Sequence, residues 1–408
     1  MKFTHLKGLD VLRGLGIFIL IVMHTAFYHY RDLTSLDLNN PPLVVTIIGL
    51  LLMFAGVFAI VSGFSHALQN NHKQHVLGYS DRHILRYNLI SGLLVLVVAY
   101  LYFLFTGPGL VNMASKSMNN SLFVELINTS VFKLPDLERI LYVDSLVMIG
   151  MNVCLLVGIY VLTKRRFKER QAFATLLIAL VFFAISLIRI PLYTVYIDAL
   201  EKGNFTIVLL LNWFVNKNNP IFPFLAFGLI GQALALILLD KNWKTLKHIV
   251  LFEGTILFVM GLVLYIFLPD TMLERSIDLI WYAIMLAQFG LFQLIVVAFI
   301  AFFDRKDRKL GPIARAFSRF SRGGLTIFFV ESMVSALIHR ILVWIMPDFY
   351  FGLWQSLVFG LCLALAWSYV LVLWERTAYR YGIEYWISSL LSRVGHSRKA
   401  DKLKEKLT

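Results

Sequence analysis

An all-α integral membrane protein, with about ten transmembrane helices and both termini cytoplasmic, is the fold class the sequence predicts. Three observations carry it. Of 408 residues, 59% are hydrophobic and only 15% are charged, too little polar surface for a soluble chain of this size. Apolar runs of about 20 residues, enough to cross roughly 30 Å of hydrocarbon, recur along the whole length. Every second loop is rich in Lys and Arg, the asymmetry that marks cytoplasmic loops.

In chain order the apolar runs fall at 11–30, 43–67, 84–106, 141–163, 172–192, 219–239, 248–268, 279–303, 324–346 and 352–374. Lys2 and Lys7 precede the first. "HKQHVLGYSDRHILR" follows the second, "KRRFKER" the fourth, "DKNWKTLK" the sixth and "DRKDRKLGPIARAFSRFSR" the eighth. "ERTAYRYG" and a lysine-rich segment follow the tenth. The loops between carry little net charge or are acidic, so the alternation sets an even number of crossings. The first run has a basic start like a signal peptide, but it lacks a small-x-small cleavage site and begins with Asp10 and Arg13. We read it as an uncleaved span.

One stretch, "FTIVLLLNWFV" (Phe205–Val215), is too short to cross and is expected to lie at the outer surface or to re-enter a cavity. "GPIARAFSRFSR" reads as an interfacial helix on anionic headgroups. Residues 1–385 form one multipass domain, with 386–408 a basic cytoplasmic tail. No repeat of the kind that builds two-halved transporters is evident.

The net charge of +14 sits in the loops that set topology, so it gives no reason to expect a nucleic-acid partner. Cys154 and Cys362 lie inside apolar spans without metal-ligand spacing and read as buried thiols. His66, His72, His75 and His83 cluster around one basic loop, but no pair among them has the spacing of a helical zinc site. No metal is expected.

Asp10, Arg13 and His24 are the expensive residues of the first span. Eleven positions at 100° each bring Arg13 and His24 to within about 20° of one another, roughly 16 Å apart along the axis. Arg13 lies near the cytoplasmic end and His24 beyond the midplane. Each has a plain structural role: Arg13 snorkelling and paired with Asp10 three residues before it, His24 bonding a neighbouring helix. Together on one face they suggest a polar path, since ionisable groups at membrane depth usually line cavities. A cytoplasmic cation suits the phosphates of a nucleotide-like donor, and a deeper imidazole suits a general base. Ser62 and Gly63, near the cytoplasmic end of the second span, can line such a cavity or serve packing.

These residues resemble a known group. "LDVLRGLGIFILIVMH" (9–24) resembles the first-helix signature of the transmembrane acyltransferases, and "FAIVSGF" (58–64) their second-helix motif. Two branches share features with it. The heparan-alpha-glucosaminide N-acetyltransferase-like family has an Asp-x-x-Arg-Gly pattern, here Asp10, Arg13 and Gly14. Acyltransferase family 3 has an Arg, ten residues and a His, here Arg13 and His24. The likeness covers about the first 70 residues, with "FSRFSRGGLTIFFVESMVSALIH" and "YRYGIEYWISSLLSR" similar to closing helices of the first branch.

The resemblance implies transfer of an acyl group, from cytoplasmic acetyl-CoA or another acyl-CoA, to a sugar or glycan acceptor on the far side of a plasma membrane. By position, Arg13 holds the donor with Ser62 and Gly63, His24 is the catalytic base, and Asp10 completes the motif. Glu331, deep in the ninth span with His339 eight residues later, is a candidate to orient His24. Asp144 and Asn152 on the fourth span, Arg189 at the outer end of the fifth and Glu253 on the seventh are weaker candidates. The competing class is a secondary transporter or exporter using Arg13, His24 and Glu331 as a substrate or proton path. A non-catalytic assembly partner leaves the aligned pair unexplained, and an oligomer is compatible with the sequence.

Overall fold

The computed structural model describes residues 5–37, 41–112, 116–240, 242–268, 277–305 and 309–394. Its helices follow in the order α1 (Lys7–His29), α2 (Leu43–Leu52), α3 (Ala55–His75), α4 (Asp81–Leu101), α5 (Leu122–Thr129), α6 (Leu137–Leu141), α7 (Ser145–Phe167) and α8 (Gln171–Ile185). Next come α9 (Arg189–Glu201), α10 (Phe205–Val215), α11 (Ile221–Asp240), α12 (Trp243–Phe267), α13 (Leu279–Phe303), α14 (Pro312–Ile345), α15 (Leu353–Glu375) and α16 (Ile383–Val394). A short antiparallel hairpin, β1 (Leu110–Asn112) with β2 (Ser117–Asn119), lies between α4 and α5.

Among the described residues, eight helical stretches are long and apolar enough to cross a membrane. One of them, Leu137–Glu201, holds both α7 and α8, separated at Lys168, whose φ of 42° ends the first helix. It therefore supplies two passes. The second span is not one helix as expected: α2 and α3 are broken at Met53 and Phe54, and α3 runs on to His75. With that broken pair, the tally returns to the ten passes that the loop charges require.

The basic loops meet at one end of the bundle. The backbone amides of Lys7 and Gly8 donate to Asp304, and Lys164 and Arg165 both pair with Asp81. Arg319 pairs with Glu375 at 2.8 Å. The acidic and neutral loops meet at the other end, where Tyr30 bridges Phe351 and the Asn219 amide bonds the Val143 carbonyl.

α11 forms the centre, packed by α3, α7 and α8 and almost wholly buried. Close approach needs small residues, because bilayer lipids offer no hydrophobic force between helices. A side chain at Gly63 would strike the Gly228 carbonyl of α11, and one at Gly14 would strike the Phe317 carbonyl of α14. α1 packs mainly on α14, α15 and α13, so the first helix of the chain is held by elements from its last third.

Several sequence expectations are corrected. The segment "GPIARAFSRFSR" is not a separate interfacial helix but the first turns of α14, continuous through Ile345. Buried Phe320 and the Gly14 contact draw it against α1. Residues 386–394, the start of the expected tail, belong to α16 (Ile383–Val394), anchored by Glu384, whose Oε1 accepts from the Leu325 and Thr326 amides at 2.6 and 3.1 Å. The rest of that segment, 395–408, lies outside the described residues. Cys362 is exposed on α15 and Cys154 half-buried, so neither is a core thiol. The short segment Phe205–Val215 is the helix α10, which packs beside α9 through Val208 and Val215.

Candidate active site

His24 and Glu331 meet. His24 Nδ1 lies 2.9 Å from Glu331 Oε1, with the carboxyl 2% and the imidazole 16% exposed. α1 and α14 bring them together because Gly14 lets the two helices approach closely three turns earlier. The pair sits at the floor of a cavity of about 790 Å³, whose walls include Tyr28 and Thr25 of α1, Ser332 and Ser335 of α14, and Asn120 of the outer loop. Its mouth is at the outer end, marked by Arg31, Arg340, Asp348 and Tyr350.

His24 also lines a second, narrower chamber of about 100 Å³. Four breaks in regular helix converge there. Phe54 comes from the α2–α3 break, Tyr102 and Phe103 from a π-helical turn (Tyr102–Thr106), Tyr142 and Asp144 from the extended entry to α7, and Asn219 from the entry to α11. Backbone departs from helix at membrane depth only where protein or a cavity satisfies it. Asp144 caps α7 by accepting from the Val147 amide at 2.7 Å and presents its carboxylate to the same chamber as His24. Leu20, Phe58 and Phe328 supply apolar walls.

Arg139, overlooked in the sequence, organises the outer wall. It is fully buried and donates to the carbonyls of Phe103, Pro108 and Asn119 at 2.5–3.1 Å, with its guanidinium 4.4 Å over the Phe103 ring. One cation thus ties the π-turn, β2 and α6 together. Nothing in the local pattern "LERILYVD" marks it as buried, since its acceptors lie up to 36 residues away.

The donor-side candidates lie apart from both cavities. Arg13 donates to Ser65 Oγ at 3.2 Å, and Asp10 pairs with His5 at 2.7 Å rather than with Arg13. Asp10 also lies 3.5 Å from Ser321 Oγ of α14. Arg13 and Lys73 are both close enough to His66 for their charges to act on it. Burial pushes the Lys73 ammonium, which sits 3.2 Å over the Tyr87 ring at the cytoplasmic end of α3, down to about 8. Gly63 is taken up by the contact with Gly228, and Ser62 beside it is half-buried.

The weaker candidates are mostly structural. Arg189 is buried and donates to the carbonyls of Val215, Asn216 and Lys217, closing the end of α10 and stacking on Trp281. Its Nη1 is buried without a hydrogen-bond partner among the described residues. Asn152 donates to the Phe224 carbonyl at 3.1 Å, and Glu253 accepts from Gln293 at 3.3 Å. His66 bonds Asn88 and His83 packs on Tyr79, and no group of three or more His, Cys, Asp or Glu among the described residues is arranged to hold a metal ion.

The chain matches no protein-family model and no curated protein. The likeness to transmembrane acyltransferases therefore rests on the sequence motifs alone.

Proposed function

We propose that this protein is a membrane-embedded acyltransferase that moves an acyl group, acetyl in the simplest case, from cytoplasmic acyl-CoA to a sugar or glycan acceptor on the outer side of a plasma membrane. The observation that carries the reading is the 2.9 Å contact between His24 and Glu331 at the floor of an outward-opening cavity. A base must be within hydrogen-bond reach of the proton it takes, and a partner must fix its tautomer. With Nδ1–H donating to Glu331, Nε2 is left as the basic nitrogen.

In the proposed reaction the acceptor enters from the cavity and His24 Nε2 removes the proton of its hydroxyl or amine. The acceptor atom bonds to the thioester carbonyl carbon, the carbon–sulfur bond breaks, and the departing thiolate takes the proton back from the imidazolium. Glu331 stabilises that imidazolium while it exists. Arg13, about 16 Å toward the cytoplasm, and Lys73 supply positive charge for the donor's phosphates. The narrow chamber beside His24 is walled by Leu20, Phe58 and Phe328 and by Asp144 and Asn219 from the outer entries of α7 and α11.

The test is acyl-CoA binding by purified protein, followed by mass analysis of acylated glycans from cells with and without the gene. Glycan acylation that disappears with the gene supports the proposal. Proton-coupled solute uptake into liposomes, independent of any acyl-CoA, would instead make His24 and Glu331 part of a carrier's path.

A further inference from the structure

The mouth of the outer cavity carries two arginines that the acyl-transfer chemistry does not use. Arg31 follows the end of α1 and Arg340 lies on α14, and both line the cavity. Neither forms an ion pair among the described residues. Arg31 lies 4.4 Å over the Tyr350 ring, and Arg340 spends one nitrogen on the Asn128 carbonyl at 3.1 Å. Both guanidiniums are exposed and keep donors free for a ligand.

Two columns of side chains lead from these arginines to the floor. From the α1 side they are His24 and Tyr28, spaced i and i+4, with Arg31 in the turn that follows the helix. On α14 they are Glu331, Ser335 and His339, spaced i, i+4 and i+8, with Arg340 next. All seven line the same cavity. His29 and His339 close the gap between the columns, their rings 5.0 Å apart. The carboxylates of the lining are Glu331, committed to His24, and Asp348 at the mouth. Two exposed guanidiniums against one free carboxylate make the mouth a seat for an anion, and the planar fork of Arg suits carboxylate and phosphate alike.

We infer that the acceptor is an anionic glycan, and that Arg31 and Arg340 bind a carboxylate or phosphate lying outward of the group acylated at His24, by roughly 14 Å on the helical rise from Glu331 to Arg340. This rests on the acyltransferase reading for its connection to His24, but the anion seat can be tested without any donor.

The experiment measures binding to the purified full-length protein by thermophoresis. The probes are a uronic-acid tetrasaccharide, its carboxyl-reduced neutral counterpart and a glycerol-phosphate oligomer. Phosphatidylglycerol vesicles report the headgroup alone. The charged oligomers should bind about tenfold or more tighter than the neutral one, a preference that salt weakens. Tighter binding of the uronate assigns a carboxylate glycan, and of the glycerol phosphate a phosphodiester polymer. Arg31→Gln with Arg340→Gln should abolish the preference, while Arg31→Lys with Arg340→Lys should restore most of it.

Equal affinity for charged and neutral oligomers overturns the inference. So does a charge preference that survives the double Gln substitution, or an anion effect seen only with the vesicles. If the preference holds but no acyl transfer is ever detected, the anion seat stands and the acyltransferase reading falls. If transfer occurs without the preference, the reverse is true.

Discussion

His24 and Glu331 are 307 positions apart in the chain and 2.9 Å apart in the fold. Each is costly in a membrane helix, and each removes much of the other's cost by bonding it. Both line an outward-opening cavity, so the two expensive residues form one unit within reach of the outer side.

Removing that unit should stop chemistry without removing substrate. His24→Ala is expected to lower kcat by about 100-fold or more while leaving the acyl-CoA dissociation constant near wild type. Glu331→Gln keeps a hydrogen-bonding group but no charge, so kcat should fall while donor affinity holds. Steady-state kinetics and donor titrations check both, and a wild-type rate in His24→Ala would sink the mechanism.

Arg13 should act on the opposite side of the balance. Arg13→Ala is expected to raise KM for acyl-CoA with kcat little changed, because it removes an attraction to the donor's phosphates that chemistry does not alter. A lowered kcat at saturating donor would show that Arg13 acts at the reacting centre.

Lys73 gives a pH dependence with a definite sign. Its ammonium loses the proton near 8 because burial disfavours the charge, so acyl-CoA affinity should decline as pH rises through that value. In the unfolded chain the same lysine holds its proton to about 10.4. Between those values the unfolded state binds more protons, so this group adds stability to the fold as pH rises. Weaker binding above pH 8 is therefore not unfolding caused by Lys73. Lys73→Arg should flatten the affinity profile, measured by donor titration across pH.

Arg139→Ala should destabilise the protein by about 2–3 kcal/mol, since it orphans buried carbonyls. The damage should concentrate in the outer wall, with faster hydrogen exchange in 107–141 than elsewhere. Uniform loss of protection across the bundle would contradict the local role.

Glu384→Ala removes the acceptor for two amides and the Thr326 hydroxyl of α14. The expected loss is about 1–2 kcal/mol, with α16 becoming accessible to protease before the bundle melts. Protease resistance equal to wild type would show that α16 is held by other contacts.

The passes, their order and their alternation were legible in the sequence because hydropathy and loop charge act locally, one segment at a time. The alignment of Arg13 and His24 was legible for the same reason: a helix fixes angle and rise by counting. Where local rules met tertiary demands, they failed. Asp10 was expected to pair with Arg13, but His5 and Ser321 hold it instead, and the second span breaks at Phe54 where it borders the narrow chamber. Arg139 had no signature, because its burial depends on carbonyls brought from distant loops.

The sequence by itself determined an all-α membrane protein and a first helix with its cation inward and its imidazole outward. Only the tertiary structure decided that Glu331 is the partner of His24 and that both face one cavity. It also decided that Gly63 is taken up by helix contact and that Arg189 closes a helix end. The physical reason is that periodicity constrains which side chains share a face of one helix. Which faces meet is set by close packing at small residues and by the pairing of buried polar groups, and both depend on segments hundreds of residues apart.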